Sequence, residues 1–515
     1  MPERIYYHTY SPNKFVDLPK LDLCTFLFGI SPSVHVQTDK VLTCPDSEHC
    51  AAVPSTVLHL DVANPINQLT KATLQEQAQK IAHGLRHKYG IGVNGPNKDV
   101  ITVMSYGQVM VPAMFYGTII AGGVYSAASP SSTVSELARQ IITGNSNLVV
   151  CSTELKDIAI AAARQCKIPL DRVLLLESSP SWTLRSIGTN ANVISDKQLP
   201  WQRIKDEKAL KDSLIVILWS SGTTGLPKGV MLSHLNLVAE CYITALAGRD
   251  WAAKEIEAGR ELGEYRTLAH LPISHIAGVF GYLLAPMYSA GTVCWMRKYE
   301  WKAMLRYVKD LQITAFYTVP SIYLRIAKSP DVTDHFKTVV NASTGAAPMD
   351  AALQRAANAK LGDGAQTFIG QTWGLSETTG AVTMMPRGYS DVTGSISPIL
   401  PSVELRIVDD DYQDVEPGRE GEMLLRSPLV TNGYYDNPKA TNEAFHEGWF
   451  CTGDIGVERR GKFYIVDRKK ELLKYKGLQI APAEIENLLF EHPKIREAAV
   501  VGWRFPEDPG SDCPR

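Results

Sequence analysis

Cysteine pairs are what this 515-residue chain lacks first: its nine cysteines (24, 44, 50, 151, 166, 241, 294, 451 and 513) are odd in number, scattered, and nowhere form C-x-x-C. That excludes a disulfide framework and a spelled-out zinc site, and points to reduced thiols inside the cell. Long runs of one charge sign are missing too. With a formal net charge of −2 spread evenly, neither a nucleic-acid surface nor a polybasic membrane patch is indicated. The N-terminus, "MPERIYYHTYSPNK", has no apolar core of the kind a secretory signal needs. Uninterrupted membrane-length apolar runs are also lacking. Val109–Ser129 and Ile276–Met296 carry no formal charge, but Pro112 with Gly122-Gly123 breaks the first, and Pro286 with Gly291 breaks the second. Each reads as a short apolar helix running into a buried strand, so no membrane span is expected. There are no repeats and no low-complexity tract.

What is present is enough chain, 45% hydrophobic and 21% charged, for two or more soluble domains. Up to about Leu400, strand-like runs ("DVITVM", "NLVVC", "RVLLLES", "LIVILW", "ITAFYTV") alternate with helix-like segments such as "TLQEQAQKIAHGLRHKYG". The expected fold class is α/β, with parallel layers that bind ligands beyond the carboxyl ends of their strands. From Val403 to Asp467 short β-rich pieces with turns at "EPGREG" and "ERRGK" predict an antiparallel subdomain. Beyond it, "DRKKELLKYKGLQIAPAEIENLLFEHP" predicts a basic hairpin and a helix that opens a new domain. The expected division is residues 1–467 as one large domain, its β-rich part at about 403–467, and 468–515 as the start of a smaller, incomplete α+β domain.

"SSGTTGLPKG", Ser220 to Gly229, follows the buried-strand run "LIVILW" and concentrates backbone and side-chain donors. Glycines 222 and 225 let backbone N–H groups close on phosphate oxygens. The hydroxyls of Ser220, Ser221, Thr223 and Thr224 add donors, and Lys228 adds a mobile charge. The order is not the Walker pattern, because Lys228 lies between Pro227 and Gly229, and the proline prevents the loop from winding straight into a helix. A polyphosphate cradle accounts for this composition; a plain surface turn is the alternative.

Five further motifs follow in order: "LPISHIAG" (271–278), "STGAAP" (343–348), "QTWGLSETTG" (371–380), "GWFCTGD" (448–454) and "DRKKELLKYKGLQIAPAEIE" (467–486). Together with the loop they resemble, over nearly the whole chain, the adenylate-forming superfamily, and are closest in texture to ligases of the 4-coumarate:CoA type. The resemblance implies that a carboxylic acid is joined to the α-phosphate of ATP with loss of pyrophosphate, and that CoA then displaces AMP. It implies ATP, Mg2+ and CoA as cofactors and a small carboxylic acid as partner.

By the same resemblance, Lys228 and Mg2+ offset the repulsion between carboxylate and polyphosphate. Glu377 is the catalytic carboxylate and metal ligand, with Ser376 beside it on phosphate; a solvated loop acid is the alternative for Glu377. Asp454 is expected at the ribose hydroxyls and Arg468 at the ribose and phosphate, although an aspartate after a glycine is also a common turn residue. Gly345, Ala346 and Ala347 with Gln371, Trp373 and Gly374 resemble the adenine slot. The family usually has tyrosine at 373, so stacking is expected to survive and a hydroxyl hydrogen bond to be lost. His275 matches a histidine beside the acyl pocket and is read as a gating or positioning residue; a structural histidine is the alternative. Ala277, Phe280 and Gly345 complete that pocket. Alanine at 277, where phenolic-acid ligases often carry tyrosine, suggests an acid bulkier or more apolar than a simple hydroxycinnamate. Lys470 matches the hinge about which the C-terminal domain rotates. Lys474, Lys476 and Gly477 resemble residues facing the thiol tunnel, with Gln479 near AMP; a solvated basic hairpin is the alternative.

The family places a second catalytic lysine on a later loop resembling "PKTxxGK", and the sequence ends at "EDPGSDCPR" before any such loop. Without that lysine adenylation is expected to slow by roughly 10²- to 10³-fold. Two other readings stand beside the acid:CoA ligase. One is transfer of the acyl group to a carrier-protein pantetheine, or to oxidation as in luciferases. The other is a non-catalytic module that binds an acyl-adenylate. The expected location is intracellular, cytoplasmic or peroxisomal.

Overall fold

The computed structural model describes residues 3–10, 13–29, 52–220, 226–362 and 367–469, then 473–475, 478–480, 482, 485–486, 489, 495, 498–504 and 512–514. Two seven-stranded sheets carry most of the chain. The first runs in the order Thr183–Ser186, Val173–Glu177, Ser146–Cys151, Val100–Met104, Val124–Ala128, β1 (Leu214–Ser220) and β2 (Lys228–Ser233). Its five inner strands are parallel and both edge strands antiparallel. These inner strands are the apolar runs seen in the sequence. Val100–Met104 is buried at every position, as a strand covered on both faces must be. Ser233 then caps helix α1 (His234–Glu257), its hydroxyl accepting from the Asn236 N–H at 3.2 Å.

The second sheet is ordered Gln68–Thr70, Val57–Asp61, Thr292–Trp295, Arg266–Ala269, Ala315–Thr318, β3 (Asn341–Thr344) and β4 (Ile369–Gln371). All but the first are parallel, so the segments after β3 and β4 leave the same sheet edge side by side. Both layers are the parallel α/β kind that the alternation of the sequence predicts. The uncharged stretches also read correctly. The first holds helix Val111–Ile120 and strand Val124–Ala128, the second ends in Thr292–Trp295, and among the described residues no helix is long and apolar enough to cross a membrane.

A third, antiparallel sheet joins β5 (Glu404–Val408), β6 (Gly421–Arg426), β7 (Trp449–Arg459) and β8 (Lys462–Arg468), with the short strand Phe445–His446 on β7. It abuts the α1 face through one apolar cluster that contains Ala239, Ile243 and Ala247 of the helix, Trp373 and Val382, and Leu405, Met423 and Leu425 of the sheet. Beyond β8, Leu473–Tyr475 pairs antiparallel with Leu478–Ile480, the hairpin expected there. The helix predicted to follow lies largely outside the described residues.

Candidate active site

The loop after β1 is held as a hairpin. β1 and β2 pair antiparallel with Ser220 opposite Lys228, so the chain leaves the loop as a strand, as Pro227 requires, and reaches helix α1 only afterwards. Ser221, Gly222, Thr223, Thr224 and Gly225 lie outside the described residues. Lys228, at the loop's exit, holds its Nζ 4.9 Å from the centroid of the Tyr434 ring. Tyr434 Oη donates in turn to Glu377 Oε1 at 2.9 Å. Burial, and then the Glu377 charge, push the Tyr434 phenol well above its ordinary pKa, so it remains a donor. Nothing in the six motifs identifies Tyr434. Its signal is the tyrosine pair after Asn432-Gly433, a turn dipeptide.

Main-chain pairing accounts for the position of this tyrosine. Tyr435 N donates to Gly229 O (2.7 Å), Met231 N to Gly433 O (3.1 Å) and Thr431 N to Glu377 O (2.7 Å), which stitches residues 431–435 to both β2 and the glutamate turn. Asn236 of α1 donates to the carbonyls of Pro428 (2.9 Å) and Val430 (3.1 Å). In "LSETTG" the two threonines shape the turn: Thr378 Oγ1 accepts from Leu375 N (2.8 Å), and Thr379 Oγ1 donates to Leu429 O (2.6 Å). Ser376 and Glu377 are thereby left on the 3-10 turn that faces the cleft.

The second constellation forms where β7 meets the "QTW" segment. Asp454 on β7, 4% exposed, accepts from Trp373 Nε1 at 2.8 Å and lies 3.2 Å from Arg468 Nε, its cross-strand partner on β8. The tyrosine-to-tryptophan change therefore brings a polar handle of its own, an indole N–H aimed at the buried carboxylate. Burial raises the Asp454 pKa, while the Trp373 and Arg468 hydrogen bonds and the arginine charge pull it down.

Gly345, Ala346 and Ala347 follow β3, and Thr372 and Trp373 follow β4, so the two halves of the expected adenine slot are neighbours through strand pairing. A Cβ at Gly345 would come 2.9 Å from Thr372 O, which only glycine avoids without displacing the backbone. Gln371 lines the same cleft. Its amide is spent on the main chain of Met349, donating to O at 2.8 Å and accepting from N at 3.0 Å, so it holds the "GAAP" loop in place.

His275 caps the short helix Ile276–Gly278, Nδ1 accepting from Ala277 N at 3.2 Å; the surrounding protein lowers its pKa, which favours the neutral ring. It shares the wall of the cleft with Ala277 and Phe280. The cleft, of about 3460 Å³, also takes in Lys228, Gly345, Trp373, Glu377, Asp454 and Arg468, several times the volume that a single small ligand fills. Lys470, Lys476 and Gly477 lie outside the described residues. Lys474 and Gln479 are described only as paired strand backbone.

One buried acid behind the site has no counterpart among the motifs. Glu240 of α1 is fully buried, and its Oε1 accepts from Ala381 N at 2.8 Å. Burial raises its pKa well above the carboxylate range. A raised folded-state pKa adds stability at acid pH that is lost as pH rises towards that value. Glu240→Gln keeps an acceptor and cannot ionise, so its melting temperature should gain on the parent's as pH rises from 5 to 9. Glu240→Leu cannot ionise either but orphans the Ala381 N–H, so it should lie about 1–3 kcal/mol below Glu240→Gln at every pH, read by denaturant titration.

Residues 47–435 match the family model described as AMP-binding enzyme. This chain belongs to that family. Over 509 residues it is 46% identical to a putative acyl-coenzyme A synthetase of Emericella nidulans, covering 98% of this chain and 88% of the relative. Over 449 residues it is 30% identical to 4-coumarate–CoA ligase 2 of Nicotiana tabacum, covering 84% of this chain and 77% of the relative. The fold is similar to that of the anthranilate CoA ligase AuaEII in complex with anthranoyl-AMP, with a TM-score of 0.73 at 19% identity, covering 90% of this chain and 83% of the other. The chain is thus an adenylate-forming acid–thiol ligase, and the α/β class with its β-rich sheet is the fold of such enzymes.

Proposed function

We propose that this acid:CoA ligase activates a carboxylic acid bulkier than a simple hydroxycinnamate, with Lys228 and Glu377 at the phosphates and Trp373, Asp454 and Arg468 at the nucleoside. The observation that carries the reading is the link from Lys228 through the Tyr434 ring to Glu377, a cation and a carboxylate fixed 4.9 Å and 2.9 Å from one side chain on the same cleft. A carboxylate nearing the α-phosphate meets a polyanion. A preorganised ammonium lowers that barrier because it needs no reorganisation as charge shifts. Asp454, held by the Trp373 N–H and by Arg468, keeps acceptor capacity for ribose hydroxyls.

Magnesium fits the donor set. Among the described residues no cluster of three His, Cys, Asp or Glu is present, so these residues offer no all-protein cage. A hard cation that keeps one carboxylate and takes its other ligands from phosphate and water suits Glu377 well. When bound, it would neutralise phosphate charge; Tyr434 would hold Glu377 in the orientation that receives it.

The acyl side is read from Ala277, Phe280 and neutral His275, which together offer an apolar wall with one weak polar edge. Cys24, Cys151, Cys166, Cys294 and Cys451 are free thiols, which supports an intracellular location; whether cytoplasmic or peroxisomal is decided by where the tagged full chain resides. The test is thioester formation from ATP, CoA and a panel of acids. Larger aryl or aliphatic acids should exceed 4-coumarate, and Ala277→Tyr should move the preference back by about tenfold. A panel led by 4-coumarate overturns the substrate reading. Pyrophosphate release without a CoA thioester would favour a carrier-protein acceptor.

A further inference from the structure

The cleft holds a further cation, Arg387, to which the proposed activation chemistry gives no role. Arg387 packs its guanidinium carbon 4.2 Å from the centroid of the Trp251 ring on α1. Its backbone N donates to Ala247 O at 2.9 Å, which pins it to the same helix. The next residue, Gly388, has φ +85° and a Cα so close to Trp251 that a Cβ would lie 2.9 Å from the indole Cδ1, so the turn is closed on the tryptophan. Burial lowers the Arg387 pKa, and the Tyr265 phenol nearby acts the other way.

Among the described residues no carboxylate forms an ion pair with Arg387. Glu255, on the same cleft, pairs instead with Arg260 at 2.5 Å. A largely desolvated guanidinium without a counter-anion is costly, and that cost is recovered when an anion docks on it. Arg387 lines the cleft with Gly248, Trp251, Tyr265 and Phe280.

Helix α1 gives the scale. The Ala381 N–H, beside the glutamate turn, is bonded to Glu240, and the Arg387 N–H to Ala247. Those two rungs are two helical turns apart, about 10 Å at 1.5 Å per residue. We propose that Arg387 is a specificity residue that receives a second anionic group on the acid, distal to the carboxylate being activated. The substrate class is then a medium-length α,ω-dicarboxylic acid, of roughly eight carbons if its chain spans that distance. The inference rests on the acyl-activating reading of the cleft and refines it.

The test uses two adenylate mimics on the full chain, octanoyl-sulfamoyl-adenosine and its ω-carboxy counterpart, with affinities measured by calorimetry so that turnover is not required. The ω-carboxy mimic should bind the parent at least about tenfold more tightly, and Arg387→Met should collapse that ratio towards one, with Arg387→Lys retaining part of it. Melting temperatures check that the variants fold. Equal affinity for the two mimics in the parent, a ratio unchanged by Arg387→Met, or binding of neither overturns the proposal. In a separate arm, pyrophosphate release is followed with octanoate and octanedioate. Selective binding without release would leave Arg387 as the anion site and sink the catalytic reading; release with octanoate in preference to octanedioate would do the reverse.

Discussion

Lys228→Ala should lower the rate of pyrophosphate release with the best acid by roughly 10²- to 10³-fold while leaving the melting temperature within a few degrees of the parent. The side chain ends over the Tyr434 ring at the exit of the hairpin, half-buried, and the β2 pairing that fixes its backbone does not depend on the ammonium. Its removal therefore takes a charge from the cleft without opening the core. Tyr434→Phe is the informative companion. It keeps the ring beneath the ammonium and deletes only the 2.9 Å hydrogen bond to Glu377, so the loss should be smaller, about tenfold, and should appear as a raised requirement for magnesium. Single-turnover measurement of acyl-adenylate separates this from slower thioester formation. If Lys228→Ala leaves that first half-reaction intact, the lysine is not at the phosphates.

The sequence made the layers legible because buried parallel strands are near-continuous apolar runs. "VITVM" and "LIVILW" needed no partner to be read, and the broken runs at Val109–Ser129 and Ile276–Met296 resolved into helix plus strand. Motif order likewise brought out Lys228, Glu377, Trp373, Asp454 and Arg468, which meet on one cleft. The residues that escaped owe their roles to contacts far apart in sequence. Tyr434 matters because three main-chain bonds stitch its loop to β2 and the glutamate turn, and those partners lie up to some two hundred positions away. Glu240 looks like any helix glutamate until α1 is packed against Ala381. Gln371 is grouped with the expected adenine slot by its motif; that its amide pairs with the main chain of Met349 is a contact the motif does not show. Arg387 follows Pro386 in an unremarkable turn, and only the approach of Trp251 and Tyr265 makes its lack of a carboxylate partner informative.

Trp373→Phe should raise the KM for ATP by about 10- to 10²-fold and move the acid limb of kcat/KM to higher pH. Phenylalanine retains a flat face for a base, so any loss from stacking is small, and the change isolates the indole N–H that Asp454 accepts at 2.8 Å. A buried carboxylate deprived of one donor forfeits a charge-assisted hydrogen bond, typically about 1.5–3 kcal/mol. The direction with pH follows from the two opposing influences on Asp454. Burial raises its pKa and the Trp373 hydrogen bond lowers it, so deleting the bond lets burial prevail and the folded-state pKa climbs further. The ionised form is the one suited to ribose hydroxyls, hence activity in the variant fails at a pH where the parent still works. Arg468, 3.2 Å away, sustains the remaining affinity, and Trp373→Phe combined with Arg468→Ala should lose more than the sum of the single changes, because together they leave the carboxylate without either neighbour. ATP–pyrophosphate exchange across pH 5–9 on the three variants measures all of this. An unshifted acid limb in Trp373→Phe would mean that the indole serves the base alone and that Asp454 is held in place without it.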